Sequence, residues 1–273
     1  MSKIHNTAIV SEKAVIADDV EIGPFSIIGP DVKIGKGCKL DSYVHIKGKV
    51  EIGENNTFYN GVFIGESGQD LTVKNPIPSI KIGNNNHFRE FVTIHQPSKE
   101  GNITTVGNNN FLMGHVHLAH DVKLANNIII VQNSILAGYI EVQDKAYISG
   151  LVAVHQFVKI GKYTLLGGGS KVTLDPPPYT TSTGHPSAVH GLNLIGMRRS
   201  GLSKEVIRTV KEIYKILYLK NYPPKKSLIT LEALLKEYTP ENESYQPIND
   251  TIEFIKNSKR GLMAKASKDL DVE

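Results

Sequence analysis

The sequence has no tryptophan and a single cysteine, Cys38. One thiol cannot form a disulfide within the chain, so a disulfide-stapled scaffold is excluded and a reducing compartment is favoured. No apolar run approaches the ~18 residues of a membrane-spanning helix, and Met1–His5 lacks the apolar core of a signal peptide. We therefore predict a cytoplasmic protein without a transmembrane segment.

A large charge of one sign is also missing. Lysine and arginine total 31, and aspartate and glutamate total 27, which gives a formal net charge of +4. Such a small excess does not indicate a nucleic-acid partner. Most of it lies between Arg198 and Arg260, where it fits either a solvated helical surface or a docking patch for an acidic partner.

What the sequence does have is a period of six. Nearly every sixth residue is aliphatic or aromatic, and glycine or another small residue often follows it. The in-phase positions are Ile4, Val10, Ile16, Ile22, Ile28, Ile34, Leu40, Ile46, Ile52, Phe58, Ile64, Ile82, Phe88, Ile94, Val106, Leu112, Leu118, Leu124, Ile130, Leu136, Val142, Ile148, Val154, Ile160, Leu166 and Val172. This period differs from that of a helix or a simple strand, and it is typical of an all-β hexapeptide solenoid.

Three hexads should close one triangular coil of about 18 residues, so residues i and i+18 are neighbours in successive coils. Each in-phase residue points inward and stacks on its equivalents ~4.8 Å above and below. Asn55–Asn56 and Asn108–Asn110 fall at corners, where asparagine tolerates a left-handed backbone. The phase breaks at 66–79 and 96–105, and both segments are predicted to protrude as loops. The solenoid is expected over residues 1–178.

The hexads end at a run of three prolines, which cannot donate to a strand ladder. We predict a loop to about Asn193, followed by a helix for which Ser203 is the N-cap. Further helices are expected near Ser227–Tyr238 and Pro247–Lys256. Residues 179–273 are thus predicted to form a C-terminal loop and α-helical domain.

Histidines and an aspartate are concentrated in one stretch of the solenoid. These residues are His115, His117, His120 and Asp121. They could form a metal site, provide a catalytic base with its helpers, or lie on a solvated face. The coil period stacks His120 below Gly138, and Gly138 below Gln156. His155 lies on the same edge, so one rim of the prism collects several polar groups.

A zinc site of the kind found in hexapeptide-solenoid carbonic anhydrases would need three histidines shared across a subunit interface. Alternate residues of a strand point to opposite faces, so neighbouring histidines do not converge. No histidine follows two coils away with the required offset, since His155 is 35 residues from His120. We therefore predict no metal ligands, and no cofactor is indicated.

Several motifs along nearly the whole chain carry a resemblance to a known family. They are His117-Leu118-Ala119-His120-Asp121, Leu136-Ala137-Gly138, Gly150-Leu151-Val152-Ala153-Val154-His155-Gln156-Phe157, Asp175-Pro176-Pro177-Pro178-Tyr179, Gly191-Leu192-Asn193, Arg198-Arg199 and Ser258-Lys259-Arg260-Gly261. In these motifs the chain resembles the UDP-N-acetylglucosamine acyltransferases that begin lipid A synthesis. The resemblance implies a left-handed parallel β-helix with a C-terminal helical domain, assembled as a homotrimer with sites between subunits. It also implies a 3-hydroxyacyl chain on acyl carrier protein as donor and a UDP-amino sugar as acceptor.

Acyl transfer to a sugar hydroxyl needs a base, and an imidazole titrates near neutrality. The resemblance implies that His120 is this base and that Asp121 orients it. The N–H of Gly138, one coil above, could hold the oxyanion. Further substrate-binding residues are implied by the same resemblance: Asp70 and His117 for the sugar, His155 and Gln156 for the nucleotide and phosphate, Asn193 and Arg199 for the diphosphate or the pantetheine arm, Tyr139 beside the glycine, and Gly168 with Lys171 for acyl length.

Three positions depart from the family pattern. Tyr139 replaces a histidine, Thr72 a lysine and Ser200 a second arginine. They leave two acceptors open: a sugar with a 3-hydroxyl group, or a 3-amino analogue that would make the reaction an N-acyl transfer. The N-acyltransferase of the same pathway has an additional N-terminal domain, for which we expect no room because the hexads begin at Ile4. The solenoid by itself would also suit a zinc carbonic anhydrase or a non-catalytic scaffold.

Overall fold

The computed structural model describes residues 3–70 and 79–267. Within these residues, the hexads form a parallel β-solenoid of short strands. In chain order the strands are β1 (Lys3–Ile4), β2 (Ile9–Val10), β3 (Val15–Ile16), β4 (Glu21–Ile22), β5 (Ile27–Ile28), β6 (Val32–Ile34), β7 (Lys39–Leu40), β8 (His45–Ile46), β9 (Val50–Ile52), β10 (Thr57–Phe58), β11 (Phe63–Glu66), β12 (Ile80–Ile82), β13 (His87–Phe88), β14 (Thr93–His95), β15 (Thr104–Val106), β16 (Phe111–Leu112), β17 (His117–Leu118), β18 (Lys123–Leu124), β19 (Ile129–Ile130), β20 (Ile135–Leu136), β21 (Glu141–Val142), β22 (Tyr147–Ile148), β23 (Ala153–Val154), β24 (Lys159–Ile160), β25 (Leu165–Leu166) and β26 (Lys171–Val172). The predicted fold class is confirmed.

Every third strand belongs to the same sheet, which gives the prism three faces. Face A runs from β1 through β4 to β25, face B from β2 through β5 to β26, and face C from β3 through β6 to β24. Neighbouring strands are parallel and pair residues one coil apart, as in Leu118↔Leu136. At the two phase breaks the pairing spans more of the chain, from Thr57 to His87 and from Thr93 to His117. After each insertion the next strand pairs in register with the coil before it, whereas β11 and β14 show a register shift between Ile64 and Glu66, where the first insertion begins. Residues 71–78 of the first insertion lie outside the described residues.

From Ile22 onward the in-phase side chains point inward and make one continuous core. Leu118, Leu136 and Ile148 are completely buried, and burying such a side chain stabilises the fold by roughly 1.5–3 kcal/mol. A single coil cannot cover its own apolar edge, so this stabilisation arises from the stacking of successive coils.

Asparagines at one corner satisfy the backbone where the chain turns. The corner residues Asn55, Asn85, Asn109 and Asn127 have φ angles of 56° to 57°. Their neighbours form an internal ladder, in which Asn86 N donates to Asn56 Oδ1 and Asn110 N donates to Asn86 Oδ1, both at 2.9 Å. The left-handed corners predicted from the asparagine clusters are therefore confirmed.

A hairpin and four helices follow the solenoid. They are β27 (Thr180–Gly184), β28 (Ser187–Leu192), α1 (Leu194–Arg199), α2 (Lys204–Tyr218), α3 (Pro224–Leu235) and α4 (Tyr245–Lys256). β27 pairs in parallel with β25, and β28 pairs antiparallel to β27. The predicted loop up to Asn193 is wrong, because the open edge of face A offers unpaired backbone groups and the threonine-rich segment satisfies them as a strand.

The predicted N-cap of α2 is confirmed, whereas α3 and α4 begin earlier than predicted. Ser203 caps α2, and its side chain accepts the Val206 N–H at 3.1 Å. α3 begins at Pro224 rather than near Ser227, because proline is well suited to the first position of a helix. The short helix α1 was not predicted. None of the four helices in the described part of the chain is long and apolar enough to cross a bilayer.

Candidate active site

A cavity of about 740 Å³ opens at the edge of face B, at the level of β17 and β20. It is lined by Gln69, Asp70, His117, Ala119, His120, Ile135, Ala137, Gly138 and Gln156. The cavity therefore brings together five of the residues singled out from the sequence, from four separate coils or loops. Among them, His120, Gly138 and Gln156 occupy the single line that the coil period predicts.

His120 and Asp121 form a buried pair at the corner that follows β17. Their exposed fractions are 7% and 4%, and Nδ1 of His120 lies 2.8 Å from Oδ2 of Asp121. Asp121 has a φ angle of 62°, a left-handed conformation that aspartate tolerates better than most residues. The turn thus places the carboxylate beside the ring of the preceding residue.

Three other groups donate to the Asp121 carboxylate. Oδ2 accepts the backbone N–H of Ser98 at 2.9 Å and its hydroxyl at 2.7 Å, and Oδ1 accepts the side-chain amide of Asn102 at 2.7 Å. Burial acts to raise the pKa of Asp121, but the hydrogen bonds from Ser98, His120 and Asn102 hold it below its ordinary value. The carboxylate is therefore ionised at neutral pH.

The ionised carboxylate fixes the positions of the protons around it. A carboxylate can only accept, so Nδ1 of His120 carries a hydrogen, and in the neutral ring the lone pair is therefore on Nε2. Nε2 faces Gly138: a methyl group on that glycine would lie 2.5 Å from Nε2 and 2.3 Å from Cε1. Glycine at this position is what allows the imidazole to fit against the next coil.

His117 shares the cavity but has different surroundings. Its Nδ1 lies 2.7 Å from the hydroxyl of Thr93, and its ring meets the ring of His95 edge-on at 4.7 Å. Burial lowers the pKa of His117, and burial together with the nearby His117 lowers the pKa of His95 to about 4. Both rings are neutral at pH 7.

Sequence reasoning missed the groups that surround Asp121. Ser98 and Asn102 belong to the segment 96–105, which was predicted only as a protruding loop. The signal that could have found them is the register: β14 lies directly below β17, so the chain that leaves β14 must pass beneath His120. Gly68 of the first insertion also packs against His120, since a methyl group there would lie 3.1 Å from its Cβ.

Tyr139 lies behind His120 rather than along the lining of the 740 Å³ cavity. Its ring meets His120 edge-on at 5.1 Å and stacks on Phe157 at 4.9 Å. Its hydroxyl lies 2.5 Å from the Ser98 hydroxyl. A second cavity, of about 580 Å³, opens on the other side of this corner and includes both Tyr139 and Asp121.

The predicted acyl-length residues lie farther up face B. The outward row above His117 reads Ile135, Ala153 and Lys171. It is apolar for two coils and then ends in an exposed lysine. Gly168 is exposed as well, and a methyl group there would approach only the Gly150 carbonyl oxygen, at 3.5 Å.

The remaining predicted residues are not all beside the pocket. His155 is exposed, with Nδ1 3.1 Å from the carbonyl oxygen of Gln156. Asn193 and Arg199 line a separate cavity of about 700 Å³ on face A. Asn193 also caps α1 by accepting the Gly196 N–H at 2.9 Å. A single chain thus does not bring Asn193 and Arg199 to His120.

The two other departures from the family pattern lie away from His120 or outside the described residues. Ser200 is exposed and ends α1, where its N–H donates to the carbonyl oxygen of Gly196 at 3.0 Å. Thr72 lies outside the described residues. Across residues 3–70 and 79–267, no three histidine, cysteine or carboxylate side chains are arranged to hold a metal ion.

Comparison with known proteins agrees with this fold. Residues 175–263 match the family model of UDP-N-acetylglucosamine O-acyltransferase domain 2, and residues 31–66 match the bacterial transferase hexapeptide repeat. The acyl-[acyl-carrier-protein]–UDP-N-acetylglucosamine O-acyltransferase of Thermodesulfovibrio yellowstonii is 43% identical over 96% of this chain and 99% of its own. The enzyme of the same name from Myxococcus xanthus is 39% identical over the same shares.

A solved structure gives the same result. The UDP-N-acetylglucosamine acyltransferase of Francisella novicida superposes with a TM-score of 0.92 at 36% identity, covering 97% of this chain and 95% of that chain. The identity and the coverage extend over both the solenoid and the helices. The chain belongs to the acyl-[acyl-carrier-protein]–UDP-N-acetylglucosamine O-acyltransferase family, and it is an acyltransferase.

Proposed function

We propose that the protein transfers a 3-hydroxyacyl chain from acyl carrier protein to the 3-hydroxyl of UDP-N-acetylglucosamine, as the first step of lipid A synthesis. The observation that carries this proposal is the orientation of His120. Its Nδ1 is held by an ionised carboxylate, and its Nε2 lone pair is directed into a cavity beside a glycine backbone. That arrangement suits a general base acting on a hydroxyl group.

In the proposed reaction, Nε2 of His120 takes the proton of the sugar hydroxyl while the oxygen attacks the thioester carbonyl carbon. The tetrahedral intermediate carries a negative oxygen. It collapses by breaking the carbon–sulfur bond, and the imidazolium returns the proton to the departing thiolate. Asp121 stabilises the imidazolium in between, and the enzyme forms no covalent intermediate.

The Gly138 amide is the proposed donor to the oxyanion. Within residues 3–70 and 79–267 its N–H donates no hydrogen bond, whereas the adjacent Ala137 and Tyr139 amides donate to neighbouring coils. An unpaired N–H beside a base is what an oxyanion site requires, since it can bind charge that develops only in the transition state.

The substrates are assigned to the cavity by its chemistry. Asp70, His117 and Gln156 are proposed to bind the UDP-sugar with polar contacts. The apolar outward row of Ile135 and Ala153 is proposed to receive the acyl chain as it runs up face B, towards Gly168. The open space at Gly168 favours a long chain, and Lys171 sets the limit of the apolar row.

Assembly as a homotrimer is proposed from the contrast between the faces. Large apolar side chains are exposed along face B, at Ile9, Ile27, Phe63 and Ile135, and such a patch is typical of an interaction surface. Face A holds the cavity of Asn193 and Arg199 at the level of β22 and β25, above the His120 cavity at β17 and β20. Packing face A of one subunit against face B of the next would complete the site with these two residues.

The carrier protein is proposed to dock on α2. Lys204, Arg208, Lys211 and Lys215 are exposed and recur every three or four residues, so they share one side of the helix. A basic stripe attracts an acidic partner and speeds its association.

The test is mass spectrometry of the products formed by purified protein with a panel of 3-hydroxyacyl carrier-protein thioesters. Each thioester is offered with UDP-N-acetylglucosamine, with its 3-amino analogue, and with neither. We expect an O-acylated product from the hydroxyl sugar and much slower reaction when the carrier protein is replaced by free pantetheine thioester. Product from the amino sugar alone would reassign the acceptor, and no product from either sugar would refute the proposed function.

A further inference from the structure

One partly buried pair of hydroxyl groups lies outside the reaction described above. The hydroxyls of Tyr139 and Ser98 are 2.5 Å apart, and Ser98 in turn contacts Asp121. Tyr139 and Ser98 come from different parts of the chain and meet only because the segment 96–105 passes beneath the His120 corner.

The direction of these hydrogen bonds can be worked out from the groups themselves. The Asp121 carboxylate has no proton to give, so the Ser98 hydroxyl donates to it. A hydroxyl has one hydrogen, so Ser98 can only accept from Tyr139. The result is a series of hydrogen bonds in which Tyr139 donates to Ser98 and Ser98 donates to Asp121. His120 donates to the same oxygen of the Asp121 carboxylate.

The tyrosine ring is fixed on several sides. Phe157 stacks on one face at an interplanar angle of 16°, and the amino group of Lys99 lies 6.0 Å from the ring centre. The ring meets His120 edge-on, and the Tyr139 N–H donates to the His120 carbonyl oxygen at 3.1 Å. A ring held in this way presents its hydroxyl as a donor in a preset position.

We propose that Tyr139 is a positioning residue, which acts through Ser98 to hold the Asp121 carboxylate in the orientation that His120 requires. Without the tyrosine hydroxyl, Ser98 keeps its donor bond but loses the partner that fixes its rotamer. Asp121 then gains freedom to turn away from Nδ1, and a smaller share of His120 has its lone pair directed at the cavity. Bonds in such chains also strengthen one another.

The inference rests on the proposed function, because its readout is acyl transfer. The experiment compares Tyr139→Phe, Ser98→Ala and the double variant with the unaltered enzyme. Tyr43→Phe is the matched control, since Tyr43 also lies at a left-handed corner and stacks on a phenylalanine, but its hydroxyl is far from the pocket. The substitution removes one oxygen atom and keeps the ring, so the fold is preserved.

We expect Tyr139→Phe to lower kcat by about 3- to 10-fold, the usual worth of one neutral hydrogen bond, with the KM for the UDP-sugar nearly unchanged. In the Ser98→Ala background the same change should have no further effect, since the two residues act through one path. Tyr43→Phe should match the unaltered enzyme.

Three outcomes would overturn the inference: an unchanged kcat, an effect confined to the KM for the sugar, which would make Tyr139 a substrate contact, or full additivity with Ser98→Ala. An inactive His120→Ala variant in the same assay shows that the proposed reaction is being measured. If the unaltered enzyme makes no product, the proposed function fails and this inference fails with it.

Discussion

His120 and His117 lie three residues apart and line the same cavity, yet their surroundings are opposite. His120 is bonded to a carboxylate that accepts hydrogen bonds from Ser98 and Asn102 as well. His117 is bonded instead to the neutral hydroxyl of Thr93. The coil geometry accounts for this difference, because β17 directs His117 outward on face B, whereas His120 lies at the corner where two insertions meet.

The comparison shows how one strand and its turn can supply two kinds of histidine. A ring beside an ionised carboxylate can take up a proton and remain stabilised, which suits a base. A ring that is buried beside a neutral hydroxyl stays neutral, which suits a hydrogen-bond partner for a sugar hydroxyl. Position on the coil, rather than the residue type, separates these roles.

The most direct test of whether the two histidines have different roles is to replace each of them with alanine. His120→Ala should lower kcat by about 10²- to 10⁴-fold, the usual contribution of a general base, and leave the proposed trimer intact. His117→Ala should act mainly on the KM for the UDP-sugar, by roughly 10-fold. Steady-state kinetics and sedimentation of both variants check this, and equal losses of kcat would show that the two histidines are not distinct.

Asp121→Asn tests whether the carboxylate makes the difference. The amide keeps one acceptor but presents a donor towards groups that also donate, so the His120 tautomer is no longer fixed. We expect kcat to fall by roughly 10- to 100-fold, the range for hydrogen bonds to charged groups. Activity within two-fold of the unaltered enzyme would mean that His120 needs no partner.

Mild acid should destabilise the folded protein, because the rings of His95 and His117 remain neutral in it. His95, with a pKa of about 4 in the folded protein, takes up a proton near pH 6.5 once unfolded. Above about pH 6.5 this difference in pKa does not change the free energy of unfolding. As the pH falls from 6.5 towards 4, only the unfolded state gains the proton, so the free energy of unfolding decreases, by about 2 kcal/mol at pH 5. The lowered pKa of Asp121 affects stability in a different pH range. It stabilises the folded protein above pH 3.8, the pKa of the unfolded group, and this stabilisation is lost as the pH falls below that value.

Urea unfolding at pH 7 and pH 5 measures this loss. In His95→Gln the difference between the two pH values should shrink by about 2 kcal/mol, whatever the substitution does to stability at pH 7. An unchanged difference would show that His95 is protonated in the folded protein.

The smallest effect is expected from Thr93→Val, which keeps the shape of the side chain and removes the hydroxyl bonded to His117. Loss of that bond should raise the KM for the UDP-sugar by about 2- to 10-fold and leave kcat nearly unchanged. Thr105→Val is a matched control, because Thr105 is on face C, away from His117. A fall in kcat for Thr93→Val would give His117 a part in the chemical step.

The period of six was enough to predict the solenoid, its phase breaks and the line of His120, Gly138 and Gln156. These follow from one rule, since every coil has the same length and the inward residue is always apolar. The hairpin of β27 and β28 was missed because its threonines and glycine have the composition of a loop. Only the open edge of face A, a feature of the assembled sheet, makes that segment a strand.

The groups around Asp121 were missed for a different reason. The register places the segment 96–105 beneath His120, but this segment has no periodicity, so the sequence does not show which of its side chains reach Asp121. Asn193 and Arg199 were expected at the site on the strength of the resemblance, whereas one chain places them on another face. A period describes neighbours within one prism and carries no information about contacts between prisms.

The strands that flank the two insertions keep their parallel pairing, apart from one register shift between Ile64 and Glu66. The spacing of the coils therefore does not depend on the length or sequence of the segments inserted between the strands. A chain of this design can lengthen, shorten or exchange the segments that surround its reactive histidine while the core stays the same. Substrate preference in such a protein can diverge at the loops long before the scaffold shows any change.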